Sequence, residues 1–535
     1  MGSAFSSFAK AIKINPSFIE PIHNLASIIN DLHFKTNTPD LHKMMIILLE
    51  RNNCIDPNEI SKSIIKLLKL DPLFKNILNN YFFIKNEISL QNLISDIGNY
   101  PLFLKLMSVS LICDLDIEKI LQDLRSSILS SIFKLKSTPN LLNFQSALAL
   151  HCFTNEYIYS PTLKEDKALD YLENEIKKQI SKGKQPETHF LLCIASYKSL
   201  NIYDWSPLII NNSSLDEVFK RQIQEPNSEK RLELTINNSQ MITEKVSRIV
   251  KQQYEENPYP RWINSNFTLF PLHLKEIIAD TKIKLTNFSI TKISDPKILV
   301  AGCGTGQDAL HAATRYKNSN VLAIDLSITS LKYAKRKTEE LGIKNIEYIQ
   351  LDILDLKKLN RKFDIIICAG VLHHMKNPLK GWSVLTSCLH DGGLFYIGLY
   401  SKFASKEIIS LRKEISEKGI KYNNAQIKSY RALLSRSISE KNKWLTDLQD
   451  FYSTSMFRDL LFHTQEKQFT LQEIKKYLSD LGLIFCGFED FRILNLFRKE
   501  NKSSCDLYNL DIWHLFESNN PHIFRGMYQF WCQKK

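Results

Sequence analysis

Residues 297–306 read Lys297-Ile298-Leu299-Val300-Ala301-Gly302-Cys303-Gly304-Thr305-Gly306, and an amphipathic pattern opens at Gln307. A short apolar run that breaks into Gly-x-Gly-x-Gly predicts a buried strand turning directly into a helix. Glycines at 302, 304 and 306 let a ligand approach the backbone at the helix N-terminus, where unpaired N–H groups gather. Asp325 closes the next apolar run, the place from which an acid hydrogen-bonds a ribose hydroxyl.

Working outward, β-branched runs at 297–301, 321–325, 346–351, 363–368 and 394–399 alternate with helical patterns at 307–314, 328–341 and 379–389. That alternation predicts a parallel, doubly wound sheet with helices on both faces. Residues 403–465 read as a helical insertion. A helix at 471–481 and strands at 483–491 and 524–532 complete a mostly parallel, seven-stranded, Rossmann-like sheet.

The texture before residue 296 is helical. Ala4, Phe8, Ala11 and Pro16 are spaced like the second helix of a tetratricopeptide repeat, and Ile22, Leu25, Ala26 and Ile29 like the first helix of the next. The register is lost after Pro39, and one repeat cannot bury its own face, so 1–40 reads as a repeat remnant. Helical faces such as Ile60, Ile64, Leu67 and Leu68, or Leu141, Phe144, Leu148 and Cys152, fill a helical domain over 41–245. Asp56-Pro57 and Tyr100-Pro101 are read as helix stops. A Pro- and aromatic-rich linker or lid with a lead-in helix occupies 246–295, and the sheet domain 296–535. The expected class is therefore α plus α/β.

Composition narrows the function. With 535 residues and 44% of them hydrophobic, the chain is globular, and no run of about 18 apolar residues marks a membrane span. The net charge of +13 invites a nucleic-acid reading. Lys outnumbers Arg roughly three to one, however, and the lysines are dispersed among acids, which argues against phosphate recognition. Ten cysteines without a C-x-x-C pair suit free thiols in a reducing cytoplasm, the expected location.

Three further features complete the pattern: Asp352 after the third run, Phe363–Ala369 leading through Gly370 to His373-His374, and Gly392-Gly393 before the fifth. This ordered set resembles the class I S-adenosylmethionine-dependent methyltransferases. The resemblance implies S-adenosyl-L-methionine as cofactor. Gly302, Gly304 and Gly306 would shape the turn under its methionine part. Asp325 would take the ribose hydroxyls with Leu326 beside the adenine, Asp352 would bind the adenine amino group with Ile353 on the ring, and Ala369 and Gly370 would lie near the sulfonium. Val300 stands where many members place an acid that contacts the amino group.

The strings Gln253-Tyr254-Glu255-Glu256-Asn257-Pro258-Tyr259-Pro260-Arg261-Trp262, Arg458-Asp459-Leu460-Leu461-Phe462-His463 and Gly526-Met527-Tyr528-Gln529-Phe530-Trp531 resemble a bacterial family that fuses tetratricopeptide repeats to a methyltransferase. The implied activity is methyl transfer to a small molecule. The alternatives are a protein acceptor docked by the helical domain, and a repeat-based scaffold carrying a degenerate methyltransferase fold. The repeats are a candidate surface for a protein partner.

Asn257-Pro258-Tyr259 is similar to the Asn-Pro-Pro-Tyr of nucleobase methyltransferases, but lies upstream of the first strand rather than after the fourth. His374 and His463 are candidate bases, because an oxygen or nitrogen acceptor can need one. Tyr254, Tyr259, Arg261, Trp262 and Asp459 are candidates for a lid or substrate contact, with Arg261 meeting a carboxylate. No metal is expected: His373 and His374 are adjacent, and Asp459 and His463, four apart on one helix face, read as a cap-and-base pair or a surface ion pair rather than as ligands.

Overall fold

The computed structural model describes residues 2–15, 19–30, 34, 37–51, 55–84, 86–238, 242–267, 270–281, 283–436, 438–501 and 506–535. These fall into two compact units. One, helical, comprises 1–228 with 261–266 and 421–458; the other, built on a sheet, comprises 229–260, 267–420 and 459–535. Pro16, the expected stop of the first repeat helix, lies outside the described residues, as does the side chain of Ala4; that helix spans Gly2–Ile14.

In the helical unit, two of the proline dipeptides expected to stop helices open them instead. Pro57 and Pro101 occupy the first turns of Pro57–Leu68 and Pro101–Val109. Proline suits that turn, where its missing N–H would lack an intrahelical partner anyway. Asp56 completes the first of these starts, its carboxylate accepting from Asn58 N–H at 2.9 Å. The stretch 421–458 is tied to this unit by a buried ion pair. Arg431 on helix Asn424–Arg436 forks onto both carboxylate oxygens of Glu118 on helix Leu115–Ser131, with Nη2 2.7 Å from Oε2. Its guanidinium also lies over the Phe451 ring, 4.4 Å from the centroid.

The sheet unit carries strands β1 (Asn237–Asn238), β2 (Lys297–Ala301), β3 (Asn320–Asp325), β4 (Ile346–Gln350), β5 (Phe363–Ala369), β6 (Leu389–Leu399), β7 (Leu483–Phe488) and β8 (Tyr528–Lys534). Their order is β1-β4-β3-β2-β5-β6-β8-β7. Seven strands make the sheet, and the two-residue β1 adds a short edge beside β4. All pair in parallel except β8, which runs antiparallel between β6 and β7.

Four residues of β2 in succession are buried because helices cover both faces, the condition for a continuous apolar strand. Leu299, Ile366, Phe395, Trp382 and Trp513 fill one side, and Ile298, Val300, Ile365, Leu331 and Ala334 the other. Two strand boundaries differ from the sequence reading. β7 ends at Phe488 because Asp490 caps a further helix, Phe491–Glu500, and β8 starts at Tyr528 rather than 524.

The chain ahead of the sheet is laced into it. Helix Lys245–Glu256 ends beside helix Ile328–Glu340, where Glu255 accepts from the N–H groups of Ile328 and Thr329, both at 3.0 Å. A carboxylate at a helix N-terminus satisfies orphan donors and meets the positive end of the dipole. Ser327 O–H donates to the Tyr254 carbonyl at 3.1 Å, and Thr305 O–H to the Pro260 carbonyl.

Candidate functional site

The order of the strands reverses at β2, whose neighbours are β3 and β5. In such sheets a crevice opens beyond the C-terminal ends of the strands at the reversal. A cavity of about 300 Å³ lies there, within the range of small-molecule sites.

β2 leaves the sheet through Gly302 and Gly304, whose φ angles are +75° and +51°, values that a residue with a Cβ adopts only under strain. A Cβ on Gly304 would stand 2.7 Å from the Tyr259 carbonyl oxygen. The turn and the 245–260 segment thus meet at backbone contact. Gly306 caps helix Gln307–Arg315 and lies outside the cavity lining; its close neighbour is Ala334.

Asp325 ends β3. Its Oδ2 accepts from Gly304 N–H and its Oδ1 from Ser327 N–H, both at 2.8 Å. Burial pushes it up to about 6, with Glu255 adding to the shift and the Ser327 and Gly304 amides opposing it. Asp352, just past β4, caps the turn after it by accepting from Leu354 N–H at 2.9 Å. Leu326, Ile353, Ala369 and Gly370 line the same cavity.

Sequence reasoning missed Asp308. It stands in the first turn of helix Gln307–Arg315 and opens onto the cavity. The protein around it pushes it up to about 6, with Glu489 adding like charge. The available signal was an acid two residues after the last glycine of the turn. Met527 and Gln529 were missed too, although period-two spacing puts them on one side of the quoted C-terminal string.

At another part of the lining stand Tyr254, Tyr259, His374, Tyr400 and Asp459. Arg412 helps fix this region: Nη2 donates to the Leu460 carbonyl at 2.7 Å, and Nη1 to Glu466 at 2.6 Å. Tyr254 O–H donates to Asp459 Oδ1 at 2.8 Å. The His374 and His463 rings stack with centroids 3.6 Å apart and planes within 14°.

Gln465 sets the tautomers of both rings. Its carbonyl can only accept, so His374 Nδ1, 2.9 Å away, carries a proton. Its N–H donates to His463 Nδ1 at 3.1 Å, so the His463 proton is on Nε2 and points to Tyr254 Oη at 3.2 Å. The remaining nitrogen of His374 lies 3.1 Å from His373 Nε2, which donates to it. Burial lowers His374 to about 4 and His463 well below the usual range, so both are neutral near pH 7. Burial, then Asp459, pushes Tyr254 well above its ordinary value.

His374, Asp459 and His463 bring one donor atom each within 4.8 Å of one another, a grouping the sequence reading did not assign to a metal. Its geometry does not suit one. A metal lies in the plane of each imidazole about 2.0–2.1 Å from nitrogen, and two rings stacked in parallel do not aim their lone pairs at one point. Gln465 N–H also keeps the proton on His463 Nε2.

The remaining two expected lid residues fall in the helical unit. Arg261 Nε lies 3.9 Å from Glu156, with the guanidinium over Phe153, and Trp262 is buried. Neither lines the cavity, and His463 does not line it directly.

Residues 293–452 match a family described as a methyltransferase domain. An uncharacterised Synechococcus protein is 29% identical over 213 residues, covering 37% of this chain and 50% of its own. The ubiquinone biosynthesis O-methyltransferase of Actinobacillus pleuropneumoniae is 30% identical over 144 residues, covering 25% of this chain and 58% of its own. The chain thus spans about half the length of the curated relatives it matches. A solved structure of PKMT2 from Rickettsia typhi in complex with AdoHcy aligns with a TM-score of 0.39 and 20% identity over 52% of this chain and 55% of that one. No helix among the described residues is long and apolar enough to cross a membrane.

Should the cavity take an adenosyl ligand, both raised carboxylates must ionise to receive it. Asp325 and Asp308 both stand at about 6, so affinity for S-adenosylhomocysteine is expected to fall as pH drops through 6. A loss of roughly tenfold or more between pH 7 and 5 follows from proton linkage. Calorimetry across that range checks it, and Asp308→Asn should flatten the dependence.

Proposed function

Since the chain carries a class I S-adenosylmethionine-dependent methyltransferase domain, we propose that the protein transfers the methyl group of S-adenosyl-L-methionine to a small molecule. The observation that carries this reading is the glycine turn with Asp325 and Asp352 around a single cavity at the strand-order reversal. These residues fit the cofactor. The turn exposes backbone at a helix N-terminus, Asp325 would offer oxygens to ribose hydroxyls, and Asp352 and Ile353 would hold the adenine. Asp308 would answer for the acid missing at Val300 by receiving the methionine amino group.

The cofactor supplies a methyl group on a positively charged sulfur, which leaves by in-line displacement. The protein's share is positioning. Gly370, just past β5, and Tyr259 line the cavity, and the aromatic side chains there would keep water from the transfer. Similarity to the ubiquinone biosynthesis O-methyltransferase of Actinobacillus pleuropneumoniae supports a small-molecule acceptor.

The test is incubation of the purified protein with methyl-labelled cofactor and fractionated cell extract. Label in the low-molecular-weight pool is the expected result. Label confined to protein would overturn the small-molecule assignment and make the helical unit the candidate docking surface. Label in neither pool, with no binding of S-adenosylhomocysteine, would overturn methyl transfer itself.

A further inference from the structure

We propose that the acceptor is a cationic amine, and that Asp459 is the carboxylate that holds it and takes its proton, with Tyr254 and His463 positioning that carboxylate. The proposal rests on the methyl-transfer reading above and extends it to the class of acceptor.

Charge is the first argument. Four carboxylates line the cavity, those of Asp308, Asp325, Asp352 and Asp459, and no lysine or arginine is among the described residues lining it. Asp325 and Asp352 flank the adenosyl end, and Asp308 follows the glycine turn. Asp459 comes from a different element, helix Thr454–Phe462. An anionic acceptor, a carboxylate or a phosphate, would meet like charge with no cation in the lining to answer it, and a site of that composition rejects it. A protonated amine meets a carboxylate and the rings of Tyr254, Tyr259 and Tyr400, the combination that attracts ammonium groups.

The second argument is proton capacity. The two histidines are neutral, but their ring nitrogens are committed. His374 donates from Nδ1 to Gln465 and accepts at Nε2 from His373. His463 accepts at Nδ1 from Gln465 N–H and donates from Nε2 to Tyr254. For either to take a proton, an existing hydrogen bond must break. The same bonds orient Asp459: His463 N–H supports the Tyr254 oxygen, and Tyr254 O–H fixes Asp459 Oδ1. His463, named from the sequence as a base, thereby becomes the support of one.

The step balances. The bound ammonium gives a proton to Asp459, and its nitrogen gains a lone pair. That nitrogen bonds the methyl carbon as the carbon–sulfur bond breaks with its electron pair on sulfur. The products are a neutral thioether, a methylated ammonium and a protonated Asp459, which returns its proton to water.

The test needs no knowledge of the acceptor. Sinefungin carries an ammonium-bearing carbon in place of the methylated sulfonium, whereas S-adenosylhomocysteine has an uncharged sulfur there. The ratio of their affinities reads the field that the acceptor amine would feel. The protein should bind sinefungin about tenfold or more tightly than S-adenosylhomocysteine. Asp459→Asn should remove most of that preference while leaving S-adenosylhomocysteine affinity within about twofold. Tyr254→Phe should shrink the preference by about threefold or more, and Asp308→Asn should weaken both ligands alike. An unchanged ratio in Asp459→Asn overturns the proposal; if that variant does not fold, an unchanged ratio in Tyr254→Phe does so. Failure of the unaltered protein to bind S-adenosylhomocysteine would instead overturn the cofactor reading on which the proposal stands.

Discussion

Gly304→Val is expected to abolish measurable binding of S-adenosylhomocysteine, and Asp325→Ala to weaken it roughly ten- to hundredfold. At Gly304 two effects combine. The backbone has a φ of +51°, and any Cβ meets the Tyr259 carbonyl at 2.7 Å, so the turn or the segment over it must move. Valine adds branching to a position that tolerates none. Asp325 costs differently. Losing charged hydrogen bonds to two ribose hydroxyls is worth about 1.5–3 kcal/mol, which converts to the stated range. The Gly304 and Ser327 amides also lose their acceptor, so the melting temperature should be read beside calorimetry. Unchanged affinity in both variants would show that the turn does not hold an adenosyl ligand.

Glu118→Ala should destabilise the protein by about 3–5 kcal/mol, because it strands a buried guanidinium. The Arg431 and Glu118 side chains are each 2% exposed. Water therefore cannot replace the missing carboxylate, and the Phe451 carbonyl at 2.9 Å and the rings of Phe451 and Tyr452 offer no full opposing charge. The double replacement Glu118→Leu with Arg431→Met should recover most of the loss, since paired burial of charge gives little net stability over well-packed apolar groups. Denaturant unfolding of the three variants checks this. A loss under about 1 kcal/mol in Glu118→Ala would mean that the helices open to solvate the arginine.

The core of the sheet unit was readable because its signals are local. Ala301-Gly302-Cys303-Gly304 announces a strand, a turn and a helix within a few residues, β3 ends in Asp325, and Asp352 and Gly370 follow β4 and β5. What was not readable depends on distant partners. Nothing around Glu255 indicates that it caps a helix starting 73 residues later at Ile328. Gln465 carries no sign that its two backbone groups set the tautomers of His374 and His463, since any residue supplies the same amide. Nothing in the sequence around Glu118 or Arg431 indicates that the two charges, 313 positions apart, pair in a dry interior. Prolines misled in a specific way: a proline dipeptide marks a boundary, but not on which side of it the helix lies.

The pairing of Glu118 with Arg431 also sets a schedule. The two residues are separated by 313 positions, and a chain grows at about 5–20 residues per second. The carboxylate therefore leaves the ribosome about 15–60 seconds before the arginine that will cover it. Through that interval the helices around Glu118 carry an acid at a site destined to be dry, and strands β1 to β6 of the sheet are synthesised in between. The helical unit thus stays open until residues 421–458 arrive, and folding factors that hold an incomplete helical chain have their opportunity in that interval.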